Sequence, residues 1–399
     1  METPGLWLLK PEVVTKPWGL VHRQALDITG IRVGLGEFWL ASAQSGPGNY
    51  SNAIVEPALR LTLAEALART AARGDAALEA VLGRPALRHL RENPHRGKTE
   101  AWCVRLARGR TGVAAGPATQ EDADELQRII RQDGLAPDVG SWSPEVRRLF
   151  GLIEPLSGGE VFLAPAGALH TMFAVGPDSA LIIDELQQGY GESLLPTLSK
   201  ILLVQDDLLS VQVHPDDATV AAAATGSLRI DQDLQANPTV RVYDFGRRPG
   251  EYPELGFKLT NPASGLRLVE PVTVQAAQGH AVDTVVADRH FVKGRVALEP
   301  GRDYPLHPQY GSYHVLHLLA GRAELCAGNR AMHASRGQTV FVPARLEEEL
   351  RIDTPEGCTF YDDTFPVLPS LTRFLASHGA GTDDIEALLS PPRAVPAGE

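Results

Sequence analysis

Two side chains that can ligate a metal ion lie two residues apart in the segment Val211–Pro215. Because side chains alternate between the two faces of a strand, Gln212 and His214 would share one face while the valines pack behind them. Pro215 would end the strand, since proline has no backbone N–H to donate to the ladder. The pattern therefore supplies half of a metal site. The alternative is a surface amide beside an ordinary strand-end histidine.

A carboxylate that could join this half-site occurs in the segment Gly97–Val104. Read as a strand, the segment places Lys98, Glu100 and Trp102 on one face. Charged groups on an inward face are costly to bury unless they meet a metal ion or an anionic ligand. The sequence thus predicts Glu100 as a third ligand, with a solvent-exposed Lys–Glu pair as the alternative.

A further imidazole follows a frame of glycines and a proline in Gly159–His170. A short apolar strand would end at Pro165, turn at Gly167 and deliver His170. The spacing is glycine, five residues, proline, one residue, glycine, two residues, histidine, and it resembles the second motif of the cupin superfamily. A solvated histidine after a turn is the alternative.

Together these segments offer two imidazoles, one carboxylate and one amide oxygen, from Gln212, His214, Glu100 and His170. This mixed nitrogen and oxygen set suits one Zn²⁺ per chain, with positions left open for water or substrate. The divalent ions of Mn, Fe, Co and Ni also fit such a set, so the choice of metal stays open.

The glycine–proline frame recurs downstream in Gly337–Pro343, where neither a second glycine nor a histidine follows. Before it, Tyr313–Leu325 predicts a hairpin that turns at Gly321. We interpret this region as a second cupin-like barrel without a metal. Its histidines are interpreted as ordinary strand and loop residues because no carboxylate lies at matching spacing: His307, His314 and His317.

Several longer motifs resemble those of type I mannose-6-phosphate isomerases, a family of the cupin superfamily. The motifs span residues 16 to 247 and are Lys16–Gly19, Gly36–Ser42, Gly97–Trp102, Pro165–His170, Glu185–Gln188, Pro196–Lys200, Leu209–Asp217 and Thr239–Asp244. The resemblance implies interconversion of mannose 6-phosphate and fructose 6-phosphate through an enediol or enediolate.

The order of these motifs differs from that of the family. There, the lysine strand and the glutamine–histidine strand precede the glycine–lysine–x–glutamate strand, whereas here Pro196–Asp217 follows His170 and Glu185. The sequence is therefore internally permuted. Because a barrel fixes inward-facing side chains through its hydrogen-bond ladder, the strand with Gln212 is expected beside the strand with Glu100.

Catalysis of this kind needs a base within hydrogen-bond reach of the proton that moves between C1 and C2. Lys98 and Glu185 are candidates, and the resemblance adds Lys200. The metal ion would hold the two sugar oxygens, and the resemblance implies that Arg241 stabilises the enediolate charge. A structural ion pair is the alternative role for this arginine. Asn237 stands where the family usually has an aspartate, and an amide cannot relay a proton at neutral pH.

The composition is that of a globular protein with room for two or three domains, since 43% of the 399 residues are hydrophobic and 22% are charged. The net charge of -12 disfavours nucleic acid or an anionic membrane as a partner. A local group of Lys and Arg could still bind one phosphate, so a small phosphorylated sugar is the expected partner.

The cysteines show no paired spacing, so neither a disulfide framework nor a zinc ribbon is expected: Cys103, Cys326 and Cys358. No apolar run approaches the length of a membrane span. The start lacks the basic region of a signal peptide, and we expect a cytoplasmic protein. The oligomeric state stays open.

The predicted fold class is dominated by β-structure, with two cupin-like jelly-roll barrels and a helical lobe. The Thr62–Glu65 capping box predicts a helix through about Val81. The predicted division assigns residues 1–60, 93–118 and 151–262 to the metal-binding catalytic barrel, 61–92 and 119–150 to helical segments, 263–390 to the second, metal-free barrel, and 391–399 to a flexible tail.

Three functions are compatible with this sequence. The favoured one is zinc-dependent isomerisation of mannose 6-phosphate. An isomerase of another sugar phosphate is the second, because rerouted connections would alter the pocket. A sugar-binding cupin without catalysis is the third, because both the permutation and Asn237 depart from the family.

Overall fold

A computed structural model describes residues 5–20, 35–44, 50–56, 61–228, 234, 237–247, 251–276, 280–306, 311–328 and 330–389. His307 and the tail of residues 391–399 lie outside these ranges, so their predicted roles stay predictions.

The strands are numbered along the chain: β1 (Trp7–Lys10), β2 (Glu12–Leu20), β3 (Leu35–Ala41), β4 (Ala53–Glu56), β5 (Glu100–Ala115), β6 (Val161–Ala164), β7 (His170–Gln188), β8 (Thr197–Gln205), β9 (Asp207–Leu208), β10 (Val211–Val213), β11 (Val240–Tyr243), β12 (Arg267–Leu268), β13 (Val272–Ala276), β14 (His280–Ala287), β15 (Val292–Leu298), β16 (Arg302–Pro305), β17 (His314–Ala327), β18 (Arg330–Ser335), β19 (Thr339–Val342), β20 (Leu350–Thr354) and β21 (Cys358–Thr364).

The helices are numbered in the same way: α1 (Leu63–Ala71), α2 (Asp75–Leu82), α3 (Arg84–Glu92), α4 (Gln120–Gln132), α5 (Pro144–Leu149), α6 (Asp217–Ala224), α7 (Pro253–Leu259), α8 (Leu368–Ser377) and α9 (Thr382–Leu389). Short 3₁₀ turns cover Val139–Ser141 and Ala344–Glu349.

Ten strands form the first sheet, whose main path runs β12-β6-β5-β7-β8-β3-β2. Strands β9 and β10 also pair with β7, and β11 pairs with β10. The two long strands β5 and β7 are 16 and 19 residues long and pair along most of their length. Extended strands of this length would span roughly 50–60 Å, so they must bend. Gly109 at φ 70° and Gly176 at φ 102° lie at the bend.

The bend closes this sheet into a barrel. His170 begins β7, whereas Gln187 lies near its other end and pairs with Glu100. His170 Nε2 nevertheless lies 3.5 Å from Glu100 Oε2. The two ends of β7 therefore face each other across the barrel interior, which brings residues that are distant in sequence into one site.

Eleven strands form the second sheet, whose main path runs β13-β14-β15-β21-β17-β19-β1-β4. Strands β1 and β4 extend it, although they come from the first 60 residues, and β12 joins the first sheet from beyond residue 262. These exchanges cover strand edges that would otherwise present unpaired backbone groups. The predicted division at residues 262 and 263 stays a prediction, with strands that cross it in both directions.

The hairpin predicted at Gly321 is wrong. Strand β17 runs without a break from His314 to Ala327, and it bends at Gly321, where φ is 73°. A Cβ there would lie 2.0 Å from the carbonyl oxygen of Gly357. The glycine therefore permits close approach of two strands, and β17 changes partners instead of direction, from β19 and β21 to β18 and β20.

Six of the helices lie in two groups. The first, α1 to α3, packs with Trp7 and Phe341 in one apolar cluster. The capping box is present, because Thr62 and Glu65 bond reciprocally. The predicted single helix is interrupted at Gly74, which has φ 104°. The second group, α4, α5 and α7, packs in a cluster with Val240 of β11. The prediction of a strand-dominated fold with helical segments is confirmed.

Candidate metal centre

Two of the four candidate ligands, His170 and Gln212, lie in a row that crosses three strands. Gln212 of β10 pairs with His170 of β7 on one side and with Arg241 of β11 on the other. Residues directly opposite in antiparallel strands place their side chains on the same face. The ladder thus sets an amide between an imidazole and a guanidinium.

The four residues predicted as ligands come together, and we refer to Glu100, His170, Gln212 and His214 as the Glu100 cluster. Glu100 Oε2 lies 3.5 Å from His170 Nε2, and Glu100 Oε1 lies 3.4 Å from His214 Nε2. One ligand atom from each of these three residues falls within 4.8 Å of the others. Gln212 Nε2 lies 3.3 Å from His170 Nε2. A rotation of this amide would exchange its nitrogen for its oxygen.

Backbone carbonyl groups fix both imidazole rings. His170 Nδ1 lies 2.9 Å from the oxygen of Ala168, and His214 Nδ1 lies 2.9 Å from the oxygen of Pro238. A carbonyl only accepts, so each Nδ1 carries the hydrogen and each Nε2 presents a lone pair toward Glu100. Within the described chain, His214 Nε2 finds no hydrogen-bond partner of good geometry although it is buried.

Burial keeps both imidazoles neutral. It lowers the pKa of His170 to about 3, with a further contribution from His214. Burial and the Lys98 charge lower the pKa of His214. For Glu100, burial acts in the opposite direction, but the adjacent Lys98 ammonium opposes it, and the pKa of this carboxyl lies well below its usual value. Neutral imidazoles and an ionised carboxylate are the protonation states that a divalent metal ion requires.

The donor set therefore fits a divalent metal ion. In the ranges that the structure describes, Glu100, His170 and His214 are the only group of three His, Cys, Asp or Glu side chains close enough to hold one. All three are buried. Two imidazole nitrogens and a carboxylate oxygen suit Zn²⁺ and neighbouring transition metals. Their role as ligands stays a prediction.

A close backbone contact holds the two halves of the cluster together. The Lys98 N–H donates to the Pro215 oxygen at 3.1 Å, and the Gly97 N–H donates to Asp217 Oδ1 at 2.8 Å. A Cβ on Gly97 would lie 2.2 Å from the Pro215 oxygen, so only glycine permits this approach. The contact places His214 beside Glu100.

The expectation that the Gln212 strand lies directly beside the Glu100 strand is wrong. Strand β10 belongs to the same sheet, but it pairs with β7 and β11. At Glu100, both edges of β5 are already occupied, by β6 and β7. The Pro215 contact, which follows β10, takes the place of strand pairing.

A second row of polar side chains crosses the same barrel wall. Trp102 of β5 lies opposite Glu185 of β7, which lies opposite Lys200 of β8, which lies opposite Trp39 of β3. Lys200 Nζ is 3.1 Å from Glu185 Oε1. Burial and then Glu100 raise the pKa of Glu185 to about 8. Burial would lower the pKa of Lys200, but Glu185 and Glu37 outweigh it and raise that pKa.

Lys98, the remaining proton-transfer candidate, is buried and contacts Glu100 Oε1 directly. The structure thus places Lys98, Glu185 and Lys200 next to or on the same wall as the Glu100 cluster. Their catalytic roles stay predictions.

Sequence reasoning missed Glu37. It is buried, accepts a hydrogen bond from Trp39 Nε1 at 2.8 Å and pairs with Lys16 at 3.3 Å. Trp102 Nε1 donates to Glu100 Oε2 at 3.3 Å in the same way. The glutamate–x–tryptophan pattern therefore occurs twice, each time with a lysine partner, and this repetition is the signal that could have identified Glu37.

Arg241 is half-buried, with 29% of its side chain exposed. Its closest ion-pair distance within the described chain is 3.8 Å, from Nε to Asp244 Oδ2. A structural pair of that length is weak, and Asp244 instead pairs with Arg247 at 2.9 Å. Asn237 is exposed and precedes Pro238, whose carbonyl fixes His214.

The histidines of the second barrel have other partners. His314 Nδ1 lies 2.8 Å from Asp362 Oδ1, and His317 Nδ1 lies 3.0 Å from Thr339 Oγ1. Both rings are buried. In the described ranges, no helix is long and apolar enough to cross a membrane.

No protein-family model matches the chain, and no curated protein matches it in sequence. Solved structures match it along 90% of its length. Mannose 6-phosphate isomerase from Bacillus subtilis is 14% identical, with a TM-score of 0.54 and 99% of that chain covered. A zinc-bound mannose 6-phosphate isomerase is 11% identical, with a TM-score of 0.51 and 99% covered. A point mutant of phosphomannose isomerase from Salmonella typhimurium is 12% identical, also with a TM-score of 0.51 and 99% covered.

These similarities concern the fold. The chain shares the cupin-like architecture of these isomerases, and the resemblance inferred from the motifs is confirmed at that level. The likeness extends over both sheets, because it covers nine-tenths of the chain.

Proposed function

We propose that this protein is an aldose–ketose isomerase that uses one divalent metal ion per chain and acts on a sugar phosphate. The observation that carries the proposal is the convergence of the Glu100 cluster inside a barrel with the fold of mannose-6-phosphate isomerases. Mannose 6-phosphate and fructose 6-phosphate are the proposed substrate pair, and Zn²⁺ is the proposed ion. A cytoplasmic location stays a prediction.

Each member of the cluster has a proposed part in holding the ion. His170 and His214 would bind through Nε2, because each Nδ1 is committed to a backbone carbonyl. Glu100 would bind through a carboxylate oxygen, and Gln212 through its amide oxygen. When bound, the ion would polarise the sugar oxygens as a Lewis acid and lower the energy of negative charge that develops on them.

Proton transfer is assigned to the Glu185–Lys200 pair. These side chains face each other at 3.1 Å on the wall that carries Trp102 and Trp39, so a proton can pass between them and a sugar carbon beside them. Lys98 contacts Glu100 itself, and its proposed role is to balance the charge of that carboxylate.

Arg241 is proposed to stabilise the enediolate. It lies opposite Gln212 on β11, and its guanidinium makes no close ion pair in the described chain. A guanidinium remains a cation throughout the reaction and offers several fixed N–H donors. Such a donor is most effective when it is aimed at charge that forms only in the transition state.

A coupled assay in deuterated water tests the proposal. An enediol mechanism predicts turnover of mannose 6-phosphate with deuterium incorporated at C1 or C2 of the product. Chelation should abolish this turnover, and Zn²⁺ should restore it. Turnover of a different sugar phosphate alone would replace the substrate pair. Binding without turnover of any sugar phosphate would make the protein a sugar-binding cupin and overturn the proposal.

A further inference from the structure

Residues of the second barrel form hydrogen bonds with the outer face of strand β8 of the first barrel. The residues of β8 alternate between the two faces. Lys200 points to the barrel interior and Glu185, whereas Thr197 and Ser199 point away from it. Ser199 Oγ donates to Asp363 Oδ2 of β21 at 2.6 Å, and Thr197 Oγ1 lies 2.6 Å from the hydroxyl of Tyr313.

The outer contact is itself built from buried charges. Asp363 lies directly opposite Lys293 of β15, and Lys293 Nζ donates to Asp363 Oδ1 at 2.6 Å. Both residues are at most 2% exposed, and the Lys293 ammonium also lies 4.4 Å from the ring centroid of Tyr361. A carboxylate held on one oxygen by an ammonium has its other oxygen fixed in direction. Asp363 can therefore hold the Ser199 hydroxyl in one place.

Burying a charged pair of this kind is costly, and hydrophobic residues of similar volume often stabilise a fold as well. Stability alone does not account for this ion pair, because the Asp363 oxygen that does not bind Lys293 accepts a hydrogen bond from Ser199 of the other barrel. Ser199 and Lys200 are consecutive, so a displacement of the Ser199 backbone moves the Lys200 backbone with it. The geometry connects the second barrel to the proton-transfer pair of the first.

We propose that Ser199 and Asp363 are positioning residues that hold Lys200 in register with Glu185, so that the second barrel contributes to catalysis. This inference rests on the proposed isomerase function. It assigns a task to a barrel that has no ligand set of its own in the described ranges. Ser199 acts through Lys200 and does not touch the substrate.

The variant Ser199→Ala tests this most cleanly, because Asp363→Asn would leave Lys293 as a buried, uncompensated cation and could unfold the protein. We expect kcat to fall about tenfold, since displacement of a reacting group by about 1 Å can cost roughly 100-fold. KM and metal content should change by less than about twofold. Ser199→Thr retains the hydroxyl and should recover most of the rate.

Thr354→Val is the matched control. Thr354 is also buried, and its hydroxyl donates to the Arg322 oxygen at 2.8 Å, but this contact lies within the second barrel. Its kcat should equal that of the parent. An equal fall of kcat in Thr354→Val and Ser199→Ala would overturn the proposal, because it would indicate a general loss of stability.

A double variant separates positioning from structure. In a Lys200→Ala background, Ser199→Ala should cause no further loss of kcat, because the group that it positions is absent. An additional tenfold loss would overturn the proposal.

Hydrogen exchange distinguishes failure of this inference from failure of the isomerase assignment. Amides of β8 should exchange at least about tenfold faster in Ser199→Ala than in the parent, and Thr354→Val should leave them unchanged. If the parent protein turns over no sugar phosphate, the isomerase assignment is wrong, and this measurement alone decides whether the Ser199–Asp363 hydrogen bond holds β8 in place. Unchanged exchange in β8 would show that it does not, whether or not the parent is active.

Discussion

Each barrel has a pair of polar side chains that are close in sequence and include at least one buried histidine, but the spacing of the two residues differs. In the first barrel, Gln212 and His214 are separated by two positions around a strand end, and both side chains reach Glu100 or His170. In the second, His314 and His317 are separated by three positions within β17. An even separation on a strand places side chains on one face, whereas an odd separation places them on opposite faces. The second pair therefore cannot converge on one ion.

The partners of the rings differ as well. In the first barrel, backbone carbonyls take the Nδ1 hydrogens, and the Nε2 atoms point at one carboxylate. In the second, side chains occupy Nδ1, with Asp362 beside His314 and Thr339 beside His317. A metal site thus needs imidazole rings whose Nδ1 atoms are fixed by hydrogen bonds and whose Nε2 atoms remain available to the ion. Residue type alone does not create it.

The largest effect on metal content and turnover should come from removing an imidazole whose Nε2 is available to the ion. His214→Ala deletes one of the imidazoles of the Glu100 cluster. We expect metal content to fall from one ion per chain to less than about a tenth, and turnover to fall by more than about 1000-fold, because bound metal depends on the complete ligand set. Elemental analysis after gel filtration, together with the isomerase assay, measures both.

His317→Gln is the matched control, because it removes a buried imidazole from the second barrel, whose described residues include no ligand set. Its metal content should stay at one ion per chain. Two ions per parent chain, with one lost in His317→Gln, would break the comparison between the barrels.

Much of this contrast was readable in the sequence. Strand alternation gave the shared face of Gln212 and His214, and the glycine–proline frame gave the turn that delivers His170. These are local rules, and the local structure follows them. The helix ends were equally local, as the Thr62 cap shows.

The rest depended on contacts between distant segments. The bend that folds β7 back to bring His170 near Glu100 has no local signature beyond glycines such as Gly176. The hairpin prediction failed at Gly321 because a turn and a bend in a continuous strand both need positive φ. The hydrogen bond between Ser199 and Asp363 joins residues 164 positions apart, and spacing rules do not predict contacts over that separation.

The second prediction concerns Arg241, which lies opposite Gln212 in the row that crosses β7, β10 and β11. Arg241→Ala should retain its metal and fold, because arginine is not a ligand and its ion pair with Asp244 in the described chain is long, at 3.8 Å. Turnover should fall about 100- to 1000-fold, as expected for the loss of one donor that stabilises transition-state charge. Arg241→Lys should recover part of the rate, since a point charge cannot reproduce the planar fork.

An exposed arginine of the second barrel provides the control. Arg351 pairs with Asp353 at 2.8 Å and lies on β20. Arg351→Ala should leave kcat within about twofold of the parent. Near-normal turnover in Arg241→Ala would assign Arg241 a structural role, and the isomerase mechanism would need another cation.

The third prediction concerns the contact that joins the halves of the metal centre. Gly97→Ala places a Cβ about 2.2 Å from the Pro215 oxygen, so the chain must move and carry His214 away from Glu100. We expect metal affinity, measured by competition with a chelator, to fall about 10- to 100-fold, the size seen when groups that orient ligands are disturbed.

Gly294→Ala is the corresponding change in the second barrel. A Cβ there would meet the Asp283 oxygen at an ordinary 3.7 Å, and no strain is expected. Metal affinity should stay unchanged. Equal affinity in the Gly97 and Gly294 variants would show that the Pro215 contact does not set the position of His214.

The smallest effect is a difference in acid stability that arises from the second barrel. Burial, with Arg105 and Lys293 nearby, lowers the pKa of His317 to about 3, whereas an unfolded histidine titrates near 6.5. Between these values the unfolded chain binds one more proton than the folded chain at this position. The free energy of unfolding therefore falls by about 1.4 kcal/mol for each pH unit below about pH 6.5, and the stability that the neutral His317 contributes is fully present only above about pH 6.5.

Urea unfolding of the metal-loaded protein measures this effect. The loss in free energy of unfolding between pH 7 and pH 5 should be smaller by roughly 1–2 kcal/mol in His317→Gln than in the parent. His333→Gln, which changes an exposed imidazole of the same barrel, should leave that difference as it is. If His317→Gln and the parent lose the same stability over this interval, His317 is not held neutral by burial, and the buried histidines of the two barrels would then differ in protonation as well as in their partners.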